Sequence, residues 1–134
     1  MLRLELAAVY VGVNIIILLV LAVMVALGRQ RHKIVLGEGD NLAFTRVVRA
    51  HGNAAEYIPA ALVGLVLLAL FPEATPIWLL HAAGLSLTIG RLTHAIGLYA
   101  GALNLGRVAG IALTWLSYLL IGGGLIYAGF AQQL

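Results

Sequence analysis

The chain has 134 residues, of which 63% are hydrophobic and 10% charged, with a formal net charge of +3 and a mean hydropathy of +1.06. Soluble proteins are about 45–50% apolar and about 25% charged, so a water-soluble globule is excluded. The absence of cysteine also excludes disulfides, thiolate metal sites, iron–sulfur clusters and a cysteine nucleophile.

Four apolar stretches follow one another, centred on helices expected over about 6–27, 41–71, 76–99 and 108–130, each long enough for the roughly 20 residues that span a bilayer. The chain is therefore expected to be all-α, an integral membrane four-helix bundle forming one domain over residues 1–134, with loops too short for a second. The first stretch exceeds the roughly 7–15 apolar residues of a secretion signal, lacks a small-residue cleavage site and is expected to stay attached. It runs into Arg29, Arg31, His32 and Lys33. Those cations, with Arg46, Arg49 and Arg107, fall on loops one and three, whereas the opposite turn offers Glu73. The positive-inside rule then makes loops one and three cytoplasmic and puts both termini on the outer side. Arg29 and Lys33 read as topology signals, and Arg31 stays undecided on composition alone. No surface stripe of basic residues with interleaved aromatics is present, which argues against a nucleic-acid partner.

The second helix is expected to start at a cap formed by Asp40 or Asn41 and to project beyond the hydrocarbon. With Arg46 at zero and about 100° per residue, Arg49, Asn53 and Glu56 share one arc of about 80° with it, and Tyr57 lies just beside them. His51 points away, and Pro59 removes a backbone donor and is expected to bend the helix below the polar group. On the third helix Arg91 and His94 lie about 60° apart on one face at matching depth, and Arg107 opens the fourth helix at the same level. A charge left facing lipid costs about 2.5–3.5 kcal/mol, so these faces must turn toward one another, toward a subunit interface or toward a wet pocket. Pairing of Arg49 with Glu56, and snorkelling of arginines to headgroups, is the plain structural alternative.

The histidines His32, His51, His81 and His94 sit on different segments without the helical spacing of a zinc site, so no metal is expected. Gly122, Gly123 and Gly124 lie deep in an apolar helix without a lysine, which suits close helix packing rather than a phosphate loop, and Gly97, Gly101, Gly106 and Gly110 recur at similar spacing. Several arginines with one carboxylate at the mouth of an apolar bundle fit an anionic small molecule that carries at least two acidic groups and an amine. The lipid side would admit an apolar second substrate.

The run Arg46-Val47-Val48-Arg49-Ala50-His51-Gly52-Asn53-Ala54-Ala55-Glu56-Tyr57-Ile58-Pro59, with Gly90-Arg91-Leu92-Thr93-His94 downstream, strongly resembles the MAPEG family, the membrane-associated proteins of eicosanoid and glutathione metabolism. The likeness covers the whole chain in helix count and spacing, and it looks like one of the small bacterial members, at home in an inner membrane. The resemblance implies a homotrimer with glutathione held between neighbouring protomers. It implies that Arg46, Arg49, Asn53 and Glu56 hold the tripeptide and its supporting ion pairs, that Arg91 and His94 line the same site, and that Arg31 reaches it from the adjacent subunit. Arg107 matches the arginine associated with the sulfur and is the expected catalytic residue.

Two positions depart from the family pattern. Val108 stands where the prostaglandin-synthesising branch has a hydroxyl residue, and Leu98 stands where a tyrosine follows the third-helix arginine by seven positions. Tyr99, one position late and turned by about 100°, is counted with the site. The implied function is a glutathione-dependent transferase or peroxidase that activates the thiol for attack on lipophilic electrophiles from the bilayer. Two alternatives stand beside it: a noncatalytic lipid- and glutathione-binding protein of the same fold, and a small multidrug exporter. An exporter would carry its membrane carboxylate in the first helix, where this chain offers Asn14 as its strongly polar group.

Overall fold

A computed structural model describes residues 2–101 and 104–131. They form four helices, α1 (Leu2–His32), α2 (Leu42–Ala69), α3 (Ile77–Ala100) and α4 (Leu105–Ala131). Each end that the sequence left approximate has a local cause. α1 runs on through the basic stretch to His32 and stops where Lys33 takes a left-handed φ of 54°. There Lys33 N–H bonds to the Gln30 carbonyl and Ile34 N–H to the Arg29 carbonyl, the paired bonds of a Schellman terminus. α2 starts from Asn41, whose side chain accepts the Phe44 N–H at 3.1 Å, so of the two expected caps Asn41 is the one used. Pro59 lies inside α2, which continues through it. α4 begins three residues earlier than expected because Asn104 Oδ1 accepts the Arg107 N–H at 3.1 Å, while its Nδ2 ties back to the Gly97 carbonyl at 2.8 Å.

α2 and α3 together form the middle of the bundle. Each packs against the other three helices, while α1 and α4 make no contact with each other among the described residues. Three helices, α1, α2 and α4, are long and apolar enough to cross a membrane. α3 is comparable in length but is not one of the three, and it carries His81, Arg91 and His94. Its length alone had suggested a span like the others. Its composition fits its place, since Arg91, His94, Leu87, Leu98 and Ala83 are all buried inside the bundle, whereas α1 and α4 present Val9, Ile16, Leu19, Leu119, Ile126 and Phe130 outward, as a lipid-facing surface requires.

Two buried clusters fill the core. One joins Ala7, Tyr10, Leu65, Leu68, Leu80, Leu87 and Ile121, and the other joins Leu21, Ala50, Ala54, Ile58, Ala95 and Leu98. In lipid, van der Waals fit and interhelical hydrogen bonds hold such contacts rather than exclusion of water. α3 and α4 approach most closely through glycine: a Cβ on Gly97 would meet the Arg107 backbone nitrogen at 2.5 Å, and one on Gly90 the Gly110 carbonyl at 2.9 Å. Gly97, Gly106 and Gly110 thus act as the close-approach residues the sequence suggested. Gly124 also meets Leu79 and Leu68, but Gly122 and Gly123 have open space around them and do not pack helices within the protomer.

The α1–α2 connection, the end of α3 and the start of α4 share one end of the bundle, as Phe44 against Gly28 and Arg46 against Gly101 show. At the other end Arg3 donates to the Thr75 carbonyl, tying the start of α1 to the α2–α3 turn. In that half, Asn14 is fully buried and its Nδ2 donates to Thr88 Oγ1 at 2.8 Å, and Tyr10 Oη lies 2.9 Å from His81 Nδ1.

Candidate functional site

The basic end holds Arg46, Arg49, Asn53, His94 and Arg107 in two adjoining grooves, with Arg91 as a buried support, while Glu56 lies exposed on α2 and lines neither groove. Arg91 is the support. Only 2% exposed, it donates through Nε to Thr114 Oγ1 of α4 at 2.8 Å and through Nη1 to Asn53 Oδ1 of α2 at 2.7 Å. Its guanidinium carbon lies 5.1 Å from the centroid of the Tyr57 ring, a cation–π distance. The ring is fixed in turn from α4: Tyr118 Oη donates to the Tyr57 carbonyl at 2.6 Å and Trp115 Nε1 to the Tyr57 hydroxyl at 3.3 Å. Arg91 Nη2 has no hydrogen-bond partner among the described residues. The guanidinium therefore does not line an opening itself; it sets the Asn53 amide so that Oδ1 is engaged and Nδ2 is left to donate outward.

One groove, of about 290 Å³, is lined by Asn53 and Tyr57 of α2, His94 of α3 and Arg107, Val108 and Ile111 of α4. His94 is nearly buried, and its Nδ1 lies 3.1 Å from the Arg107 carbonyl. A second groove, of about 340 Å³, is lined by Leu42, Thr45, Arg46, Arg49, Leu98, Gly101 and Arg107. Arg107 belongs to both and marks where they meet. Gly101 lines the second groove with a φ of 126°, a conformation that side chains avoid.

Three guanidinium-bearing residues thus line one cleft, and among the described residues no carboxylate pairs with any of them. The pairing of Arg49 with Glu56 that the sequence allowed as a structural alternative does not form: both side chains are exposed on the face of α2, and no ion pair joins them among the described residues. Several guanidinium forks in one cleft suit a ligand with more than one acidic group.

Arg31 and Tyr99 lie elsewhere on the protomer. Arg31 is exposed and lines a separate groove of about 330 Å³ with Met24, Gly28, His32, Phe44 and Val47. Tyr99 faces α1, in an apolar groove with Ile17, Leu21 and Ile96, and its hydroxyl donates to Met24 Sδ at 3.2 Å. Leu98, not Tyr99, reaches the arginine cleft. Sequence reasoning missed Thr114 and Asn104, which position Arg91 and Arg107 respectively. Asn104 had a legible signal as a capping residue just before a helix, whereas Thr114 sits one turn beyond Gly110 on an apolar helix and has none.

A sequence profile of the MAPEG family matches residues 7–127 of this chain. The chain is also 30% identical over 115 residues to the inner membrane protein YecN of Escherichia coli, both in strain K12 and in strain O6:H1 CFT073, over 86% of this chain and 86% of the relative.

Proposed function

The chain belongs to the MAPEG family of membrane proteins of glutathione and eicosanoid metabolism, and from that membership we propose that it is a glutathione-dependent transferase or peroxidase acting on lipophilic electrophiles. The observation that carries this reading is the cleft in which Arg46, Arg49 and Arg107 converge without a carboxylate partner among the described residues. Arg46 and Arg49 hold the acidic ends of the tripeptide, Glu56 takes its ammonium, and Asn53 donates its free amide. Arg107, where the two grooves meet, faces the sulfur, and Val108 and Ile111 give an apolar wall to an electrophile entering from lipid. When bound, glutathione supplies a thiol whose ordinary pKa is near 8.5; a guanidinium beside it favours the nucleophilic anion.

A homotrimer belongs to this reading. Arg49 and Glu56 are exposed on a protomer helix that crosses the membrane, and leaving them to lipid costs about 2.5–3.5 kcal/mol per charge. A neighbouring protomer covering this face removes that cost and brings its Arg31 to the cleft. The inner membrane, where its name places YecN, is the proposed location, and the positive-inside rule puts the basic end on the cytoplasmic side.

The test is calorimetric titration of the detergent-solubilised protein with glutathione, followed by an assay of conjugation to a generic aromatic electrophile. Saturable binding that Arg49→Ala weakens, with measurable conjugation, is the expected result. No binding overturns the reading, and binding without turnover replaces it with the noncatalytic member of the same fold.

A further inference from the structure

We propose that His94 is the base that takes the thiol proton, through Nε2, in the groove it shares with Arg107. The inference rests on the thiol-binding reading above and adds a residue to it.

His94 Nδ1 lies 3.1 Å from the Arg107 carbonyl oxygen. A carbonyl only accepts, so the proton between them belongs to Nδ1, and in the neutral ring Nε2 is left as a bare acceptor. The ring is nine-tenths buried, yet Nε2 is not one of the buried atoms lacking a partner, and it makes no hydrogen bond among the described residues. It therefore opens on the surface the ring does expose, which is the groove lined by Asn53, Tyr57, Arg107, Val108 and Ile111.

The same hydrogen bond ties the base to the cation. Nδ1 is bonded to the backbone of Arg107, the residue whose side chain lines the groove alongside it. α3 and α4 cannot separate there without breaking a glycine contact, since Gly110 packs directly on the His94 backbone. Orientation by a hydrogen bond on one ring nitrogen, with the other free toward the reacting group, is the arrangement a general base requires. The groups that face the ring are Arg91 from its own helix, Arg107 from α4, and Asn53 and Tyr57 from α2; none is a carboxylate, and no other side chain lining the groove is a competing base at neutral pH.

The step is a proton transfer. The S–H bond breaks, its electron pair stays on sulfur beside Arg107, and the proton forms an N–H bond at Nε2. Arg91, behind Asn53, is too deeply buried to take part.

His94→Asn is the informative variant, because the asparagine amide can reproduce the Nδ1–H donor to the Arg107 carbonyl and has nothing in place of Nε2. His94→Gln serves as a second variant in case the first fails to fold. The measurement on the parent protein needs neither: glutathione is added to weakly buffered protein at neutral pH, and the thiolate absorbance and the protons released to a pH indicator are read together. The expected result in the parent is a thiolate signal accompanied by proton release, since the ring faces Arg91 and Arg107 and passes the proton on to solvent. In His94→Asn thiolate formation and proton release both slow by about 100-fold or more, the range for loss of a general base, and added imidazole, a base in solution, restores part of the rate. A His94→Asn protein that forms thiolate at the parent's rate, or whose slowed rate imidazole leaves unchanged, overturns the role of His94 and leaves the glutathione reading standing. A parent with no thiolate signal overturns both.

Discussion

Arg91 of α3 and Asn53 of α2 are joined by a 2.7 Å hydrogen bond from Nη1 to Oδ1, and this contact aims the asparagine amide at the groove. Hydrogen bonds to charged groups contribute about 1.5–3 kcal/mol, and an orphaned buried donor costs about as much again. Asn53→Leu should therefore lower both thermal stability and glutathione affinity, whereas Asn53→Asp, which can pair with Arg91 but loses the outward amide donor, should keep the stability and lose the affinity. Thermal unfolding and calorimetry on the two variants separate the effects.

Arg91 also holds Thr114 across the α3–α4 contact. Thr114→Val replaces the hydroxyl by a methyl of the same shape and strands Nε in a buried place, for an expected loss of roughly 1–3 kcal/mol. Thr114→Ser, which keeps the acceptor, should restore most of it. A Val variant as stable as the parent would mean that Arg91 finds its hold elsewhere.

The glycine seam makes a positional prediction. Gly97→Ala would set a methyl 2.5 Å from the Arg107 backbone nitrogen, with no flexible side chain to yield, so α3 and α4 must part. Overpacking of this kind costs about 1–3 kcal/mol, and here it also moves Arg107, so both melting temperature and glutathione binding should fall. Gly12→Ala, with open space around it in α1, is the control and should be neutral or slightly stabilising, since alanine is the better helix former by up to about 1 kcal/mol.

Tyr99 offers a discriminating substitution. Its hydroxyl reaches Met24 across an apolar groove on the α1 side, away from the arginine cleft. Tyr99→Phe should leave glutathione affinity within about twofold of the parent, well below the tenfold that 1.4 kcal/mol represents. A larger loss in the calorimetric titration would restore Tyr99 to the site by way of a neighbouring protomer.

Much of this was legible in the sequence because it rests on local rules. Hydropathy and length place four helices, the capping preference narrows the start of α2 to Asp40 or Asn41, and helical spacing puts Arg49 and Glu56 on one face, where they are found together and exposed. What was not legible depends on which faces meet. Arg91 and Arg49 have the same chemistry in sequence, yet Arg91 is sealed by its hydrogen bonds to Asn53 of α2 and Thr114 of α4 while Arg49 opens on a cleft. Spacing alone also gave no sign that Tyr99 turns to α1 while Leu98 faces the arginines.

The most direct test of the central claim, that guanidinium groups at the junction of the two grooves hold a glutathione anion, is the ultraviolet difference spectrum of the protein titrated with glutathione, for the parent and for Arg107→Ala. A saturable thiolate band in the parent, lost in Arg107→Ala while calorimetric binding persists through Arg46 and Arg49, is the predicted result. A band of equal size in both proteins, or none in the parent at saturating glutathione, would contradict it.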